Sequence, residues 1–335
     1  MYDPPYGEQN SAGGAREGAG GSSVKRTTVV TVTINPAIDQ TIAIPNFAAG
    51  TVNRVQSSRL DPGGKGINVA SFLADCGQPV TVTGFLGAEN DEIFCRLFEQ
   101  KGIEDRCVRI AGQTRIGVKI SDMAQQRTTD INFPGQTPGL ADIARLFDIL
   151  KELAATHEWF VLSGSIPAGV SAGIYQAMVR TLAGKKVVLD TSGEGFCQAV
   201  AAGPWLIKPN LDELAEFSGK RLDTAEAILQ VARELIQSYN ITSVVVSMGK
   251  EGAIFVEGQK AIWAIPPAVE VKSTVGAGDA MVAGIVAGKI RGLSLARCAR
   301  LATAFSMAAI GHIGSGLPSI EAVQTACEQV AIRAL

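Results

Sequence analysis

The sequence predicts an α/β fold: a doubly wound, mostly parallel sheet with a small inserted β-sheet lid. Two patterns carry this. The runs Trp159-Phe-Val-Leu-Ser163, Lys186-Val-Val-Leu-Asp190 and Ser243-Val-Val-Val-Ser247 are nearly continuously apolar. Helix-period segments separate them, so these strands are covered on both faces. Other short runs, near 41–44, 51–57, 114–123 and 128–133, alternate apolar with polar residues, the mark of strands covered on one face only.

The elements follow in order. Residues 1–25, rich in Gly and Ser, have almost nothing to bury and read as a disordered tail. A β-branched strand over 27–34 is ended by Asn35-Pro36. Lid strands come from about 40–57 and 113–133. Between these lie a helix over 66–76, a strand over 79–85 and a helix over 92–100. Helices over 140–155, 171–182 and 224–239 then alternate with the three buried strands, which predicts a doubly wound core. The chain closes with helices over 279–291, 295–310 and 320–334. Residues 26–335 thus form one domain, with the lid over the carboxyl edge of the sheet, where open α/β sheets bind ligands.

Composition narrows the function classes. The 335 residues are 46% hydrophobic and 19% charged, with a formal net charge of −2. That is a soluble composition without the basic stripe of a nucleic-acid binder. No apolar run is long enough for a membrane span, and the N-terminus has no signal-peptide core. Six cysteines, none in a C-x-x-C pair, read as buried or half-buried thiols in a reducing, cytoplasmic setting. His157 and His312 are the two histidines, too few for a histidine-built metal site, and are read as structural or surface residues.

Four motifs carry chemistry. Ser273-Thr-Val-Gly-Ala-Gly-Asp-Ala280 opens an apolar helix after an expected strand. Its small residues let backbone N–H groups crowd an anion at a positive helix end. Asp279, in the first turn, is expected to be held ionised and to accept a proton from an attacking hydroxyl; alternatively it caps the helix. Asp61-Pro-Gly-Gly-Lys-Gly-Ile-Asn68 opens the first long helix without Walker A spacing. It allows close backbone approach to a ligand, and Asn68 suits a sugar hydroxyl, or it is an ordinary glycine turn. In Lys208-Pro-Asn-Leu-Asp-Glu-Leu214, Asn210 and Glu213 are spaced to order waters around Mg²⁺ or to form a capping box. Ser247-Met-Gly-Lys-Glu-Gly-Ala253 fits a turn near nucleotide phosphates or a plain hairpin.

With these residues in place, the sequence resembles the PfkB, or ribokinase-like, family of carbohydrate kinases, from about Val30 to the C-terminal helices. The family fold is a Rossmann-like core with a β lid. The resemblance implies an ATP-dependent kinase in which Asp279 is the catalytic base and Gly276, Ala277 and Gly278 form the anion hole. It implies that Lys208, Ser247, Gly249 and Gly252 approach the nucleotide, and that Asn210 and Glu213 serve Mg²⁺ through water. Asp39, Gly64 and Asn68 match positions that hold sugar hydroxyls. Arg115 resembles an arginine that meets the substrate's phosphate, with Lys65 and Arg54 as weaker candidates. Asn35-Pro-Ala-Ile-Asp39, Thr129-Asp-Ile-Asn-Phe-Pro-Gly135 and the Ser-Thr-Val before the Gly-Ala-Gly-Asp look most like the 1-phosphofructokinase and tagatose-6-phosphate kinase branch. The minor 6-phosphofructokinase carries a lid arginine near Asp130, where this chain is acidic. The implied partners are ATP and a small sugar phosphate, with a homodimer through the exposed lid edges. The resemblance implies phosphorylation of fructose 1-phosphate to fructose 1,6-bisphosphate; the alternatives are 6-phosphofructokinase or tagatose-6-phosphate kinase activity, a nucleoside kinase, or a non-catalytic sugar-phosphate-binding regulator on the same scaffold.

Overall fold

The computed structural model describes residues 28–268, 276–311 and 316–335. The expected tail over 1–25, the segment 273–275 and His312 lie outside the described residues.

The first part of the chain forms β1 (Val29–Thr33), β2 (Ala37–Ala43), β3 (Ser57–Gly63), α1 (Lys65–Asp75), β4 (Val80–Gly87) and α2 (Glu92–Lys101). The middle forms β5 (Glu104–Asp105), β6 (Val108–Ile110), β7 (Ile116–Asp122), β8 (Arg127–Asn132), α3 (Leu140–Thr156), β9 (Trp159–Ser163), α4 (Ile174–Thr181) and β10 (Lys186–Asp190). Next come α5 (Gly193–Val200), β11 (Leu206–Ile207), α6 (Leu211–Ser218), α7 (Ala225–Tyr239), β12 (Ser243–Ser247), β13 (Ala253–Glu257) and β14 (Lys260–Ile265). The chain ends with α8 (Ala277–Ile290), α9 (Leu295–Ile310), α10 (Ile320–Gln329) and β15 (Ala331–Ala334).

The large sheet runs β15-β14-β13-β12-β11-β10-β9-β1-β4-β5, with β6 also on β4. From β12 to β5 it is parallel; β13, β14 and β15 complete it antiparallel. Two apolar clusters cover its faces. One packs α1, α8 and α9 against Val29, Val161 and Val245; the other packs α3, α4 and α7 against Val30, Phe160 and Val244. Neighbouring strand residues contribute to opposite clusters, which is why these strands read as unbroken apolar runs. The chain leaves β1 for β4 and returns to β9 on its other side. This reversal opens a crevice at the carboxyl ends of β1 and β9.

The lid is the four-stranded sheet β3-β2-β7-β8. Its cross-strand rows separate two faces. Asp61, Asp39, Gly117 and Asn132 form one row, and Arg59, Thr41, Lys119 and Asp130 the next on the same face. Leu60, Gln40, Val118 and Ile131 form a row on the opposite face, where Leu60 and Ile131 are exposed.

Several expectations are corrected. The second lid strand lies at 57–63, not 51–57, because Asp61 to Gly63 are drawn into pairing with β2. The last helix stops at Gln329, and Ala331–Ala334 pairs with β14 instead. The β13–β14 hairpin, α5 and the short β5 and β6 were not anticipated. Cys95 and Cys197 are exposed, not buried. His157 closes α3, its Nδ1 3.0 Å from the Leu153 carbonyl, a structural position.

Candidate active site

Parallel strands end with their side chains at one edge, and that edge collects the polar residues. β9 ends at Ser163, β10 at Asp190, β11 leads into Lys208, and β12 ends at Ser247. The α8 N-terminus closes the same place: Gly276 turns left-handed at φ 79° and leads into the helix, which puts Asp279 at its third position. Asp279 is buried and accepts a 2.8 Å hydrogen bond from the Asn68 amide on α1. The carboxylate therefore does not cap its own helix; it is aimed across to α1.

Behind Asp279 sits a residue that the sequence reading missed. Asp190, 1% exposed, lies 3.1 Å from Lys208 Nζ through Oδ1 and 3.4 Å from Lys65 Nζ through Oδ2. Ser163 donates to Oδ2 at 3.2 Å. Burial alone would raise the Asp190 pKa, but Lys208 and then Lys65 more than reverse this and hold it below the ordinary carboxylate value. The signal that reaches Asp190 is its place as the last residue of a buried parallel strand.

Asp279 behaves in the opposite way. Burial first, then the charge of Asp190, push its pKa up to about 6, against the pull of Lys65, Asn68 and Lys208. At neutral pH the carboxyl is still mostly ionised, as expected, but it is a stronger base than a free carboxylate. The group is poised near neutrality, as a general base requires. Lys208 reaches the first turn of α8, its Nζ 3.6 Å from where a Cβ on Gly278 would stand.

Asn210 and Glu213 make the complete capping box of α6. The Asn210 N–H donates to Glu213 Oε2, and the Glu213 N–H donates to Asn210 Oδ1, each at 2.8 Å. Asn210 is also bridged to Ser247 at the adjoining strand end. Both residues thus stand at the sheet edge beside Lys208, with their capping oxygens committed. Among the described residues no cluster of three or more His, Cys, Asp and Glu side chains is arranged to chelate a metal directly. Gly249 begins the turn after β12, on the exposed side. Gly252 ends it against β14: a Cβ there would lie 2.0 Å from the Ala264 carbonyl oxygen, so hairpin packing accounts for that glycine.

The residues expected to meet the sugar lie on the small sheet and where it joins the core. Asp39 projects from the centre of β2 into space left by two glycines. A Cβ on Gly63 would fall 2.6 Å from its Oδ2, and one on Gly117 3.1 Å from its Oδ1. Lys119, also missed, stands 3.4 Å from Asp39 and 3.9 Å from Asp130. Burial raises the Asp39 pKa, with Lys119 and Arg115 opposing. Arg115 lies just before β7, its Nε donating to Asn35 Oδ1 at 3.1 Å, while Asn35 donates to Ser165 at 3.0 Å. Asn35 so ties the lid arginine to the core. Gly64 caps the N-terminus of α1 at φ 117°, with Lys65 first in the helix. Arg54 is exposed.

The pfkB family carbohydrate kinase model matches residues 28–322. The chain belongs to the pfkB family of carbohydrate kinases. It is a phosphotransferase whose acceptor is a sugar hydroxyl. It is 47% identical over 310 residues to a 1-phosphofructokinase of Rhodobacter capsulatus, covering 92% of this chain and 98% of that one. The 1-phosphofructokinase of Escherichia coli is 37% identical over 291 residues, 86% of this chain and 93% of the relative. Among solved structures, phosphofructokinase-2 from Escherichia coli in complex with fructose-6-phosphate superposes with a TM-score of 0.82 at 26% identity. It covers 90% of this chain and 98% of its own. This pfkB chain therefore shares a ribokinase-like fold with kinases of phosphorylated sugars. No helix among the described residues is long and apolar enough to cross a membrane.

Proposed function

We propose that this pfkB kinase transfers the γ-phosphoryl group of ATP to the 6-hydroxyl of fructose 1-phosphate, giving fructose 1,6-bisphosphate and ADP. The substrate assignment is supported by the identity to 1-phosphofructokinases over nearly the whole chain. The chemistry rests on one observation above all: a buried carboxylate, Asp279, at the N-terminus of an apolar helix with a pKa near 6.

Asp279 takes the proton of the attacking hydroxyl as the new O–P bond forms and the bond from the γ-phosphorus to ADP breaks. N–H groups of Gly276, Ala277 and Gly278 carry the charge that builds on the phosphoryl oxygens. Asn68 keeps the carboxylate aimed. Asp39, the Gly64 backbone and the Asn68 carbonyl oxygen, its amide N–H being on Asp279, hold sugar hydroxyls, and Arg115 holds the resident phosphate. Lys208, Ser247 and Gly249 line the nucleotide's path; Gly252 supports that turn. Asn210 and Glu213 suit Mg²⁺ held through water: the capping box fixes Glu213 and leaves its Oε1 to accept from a metal-bound water, and the Asn210 carbonyl oxygen keeps a second lone pair for the same use. When bound, the ion neutralises charge on the ATP phosphates. Residues 26–335 act as one kinase unit, with the tail outside it.

A homodimer through the lid is supported by the exposed Leu60 and Ile131 on its apolar face. Cytoplasmic placement follows from substrates, ATP and a sugar phosphate, that do not cross membranes unaided.

The test is Asp279→Asn. The kcat is expected to fall by about 10³-fold or more, since the attacking hydroxyl loses its base. Turnover near that of the parent would overturn the assignment.

A further inference from the structure

Two lysines share Asp190, and they differ in what else they are able to do. The Lys208 side chain is 5% exposed and closed in beneath Gly278 in the first turn of α8. The Lys65 side chain is 41% exposed. It springs from the first position of α1, one turn before Asn68, so the two share a helix face. Asn68 grips Asp279, so Lys65, one turn earlier on α1 and paired with Asp190, approaches the base from the α1 side. Its ammonium also feels the charges of Asp190, Asp279 and Glu213, which together offset the effect of burial and keep it protonated. Arg115 is elsewhere, at the lid hinge on Asn35.

This separates two phosphates. A sugar phosphate that presents a hydroxyl to Asp279 carries its own phosphate at the far end of the sugar. The phosphoryl group in flight passes between Asp279 and the nucleotide edge marked by Glu213. We infer that Lys65 is a catalytic residue that contacts the transferring phosphoryl group, not the phosphate already on the sugar. Asp190 is its positioning residue: it holds the ammonium between base and nucleotide without surrendering the open side. As negative charge shifts onto the equatorial oxygens, Lys65 meets it opposite the backbone donors of residues 276–278. The inference rests on the kinase reading above and reassigns Lys65 from the substrate's phosphate.

The experiment compares parent, Lys65→Met and Lys65→Arg. The first readout is steady-state turnover of fructose 1-phosphate with MgATP. Lys65→Met is expected to lower kcat by about 10²-fold, as for loss of one preorganised donor, with the KM for sugar phosphate within about threefold of parent. Lys65→Arg should recover at least about tenfold of that loss. The second readout is calorimetric binding of MgADP with aluminium fluoride, which mimics the phosphoryl in flight, against MgADP alone. Lys65→Met should weaken the first by about 30-fold or more and leave the second unchanged. A rise in sugar-phosphate KM with kcat retained, or equal binding of the fluoride complex, overturns the inference. The calorimetry needs no turnover, so a parent that prefers another acceptor corrects the substrate and still decides Lys65. Unchanged MgADP binding also certifies that the variant is folded.

Discussion

At the scale of single residues, Asp279 is held by opposing demands. Burial raises the cost of its charge, and Asn68, Lys65 and Lys208 return only part of it. With its pKa pushed up to about 6, the carboxyl is mostly ionised at neutral pH and yet a strong enough base to take a proton. The pH profile of kcat/KM should therefore rise about tenfold per pH unit below about 6 and level off above it. A flat profile from pH ~5 to ~8 would contradict this. The same shift has a cost for stability. The folded protein binds this proton more tightly than the unfolded chain, so the ionised carboxyl destabilises the fold fully above about pH 6, and the effect vanishes below the ordinary value of 3.8. Asp279→Asn should accordingly raise the Tm at pH ~8, and the gain should shrink towards pH ~4. A lowered Tm at the higher pH would show that the carboxylate is stabilising. Arg115 makes a different prediction. If it grips the resident phosphate, Arg115→Ala should raise the sugar-phosphate KM by about 10- to 100-fold, the worth of one charge-assisted contact, with a smaller change in kcat. Unchanged KM would move the phosphate elsewhere.

At the scale of elements, the lid depends on one buried carboxylate. Asp122 accepts the backbone N–H groups of Asn46 and Phe47 at 2.9 Å and those of Ala124 and Gln125 at 3.2 Å. It thereby pins the segment after β2 to the turn between β7 and β8. Burial would raise its pKa, but these four donors overcome that and hold it below the ordinary carboxylate value. Its contribution is present above the unfolded value and is lost as pH falls through the depressed folded one. Hydrogen exchange should show Asp122→Ala loosening residues 44–56 and 122–127 while β1, β9 and β10 keep their protection. Uniform loss across the core would refute a local role. The lid also shows what patterning reveals and what it hides. β7 and β8 were legible because apolar and polar residues alternate there. β3 was displaced by a few residues in the reading, since Asp61-Pro-Gly63 looks like turn chemistry and only pairing with β2 makes it strand. β15 carried no distinct signal: four residues after a helix become a strand because β14 leaves an edge to be paired.

At the scale of the whole molecule, the doubly wound core could be read in advance because its strands are covered on both faces and say so in their composition. Local motifs were equally open: the Gly-Ala-Gly-Asp run, the Gly-Gly-Lys-Gly run and the Asn-x-x-Glu box each hold their geometry within a few residues. Asp190 and Lys119 were hidden because their meaning comes from neighbours distant in sequence. Asp190 acquires its lysines only when β10 takes its place in the sheet with β11 on one side and β9 on the other, and α1 lies against that edge. Lys119 meets Asp39 only across the β2–β7 pairing. The fold thus draws a buried carboxylate from α8, the amide that grips it from α1, and cations from α1 and the end of β11 to one edge of the sheet, with Arg115 tied by Asn35 at the start of β7.

The most direct test of this account is ADP release with MgATP against fructose 1-phosphate, fructose 6-phosphate, tagatose 6-phosphate and fructose, compared by kcat/KM. The account predicts a preference for fructose 1-phosphate of about tenfold or more over each alternative, roughly 1.4 kcal/mol of transition-state discrimination. A preference for either 6-phosphate, or no turnover of any of the four, would contradict it.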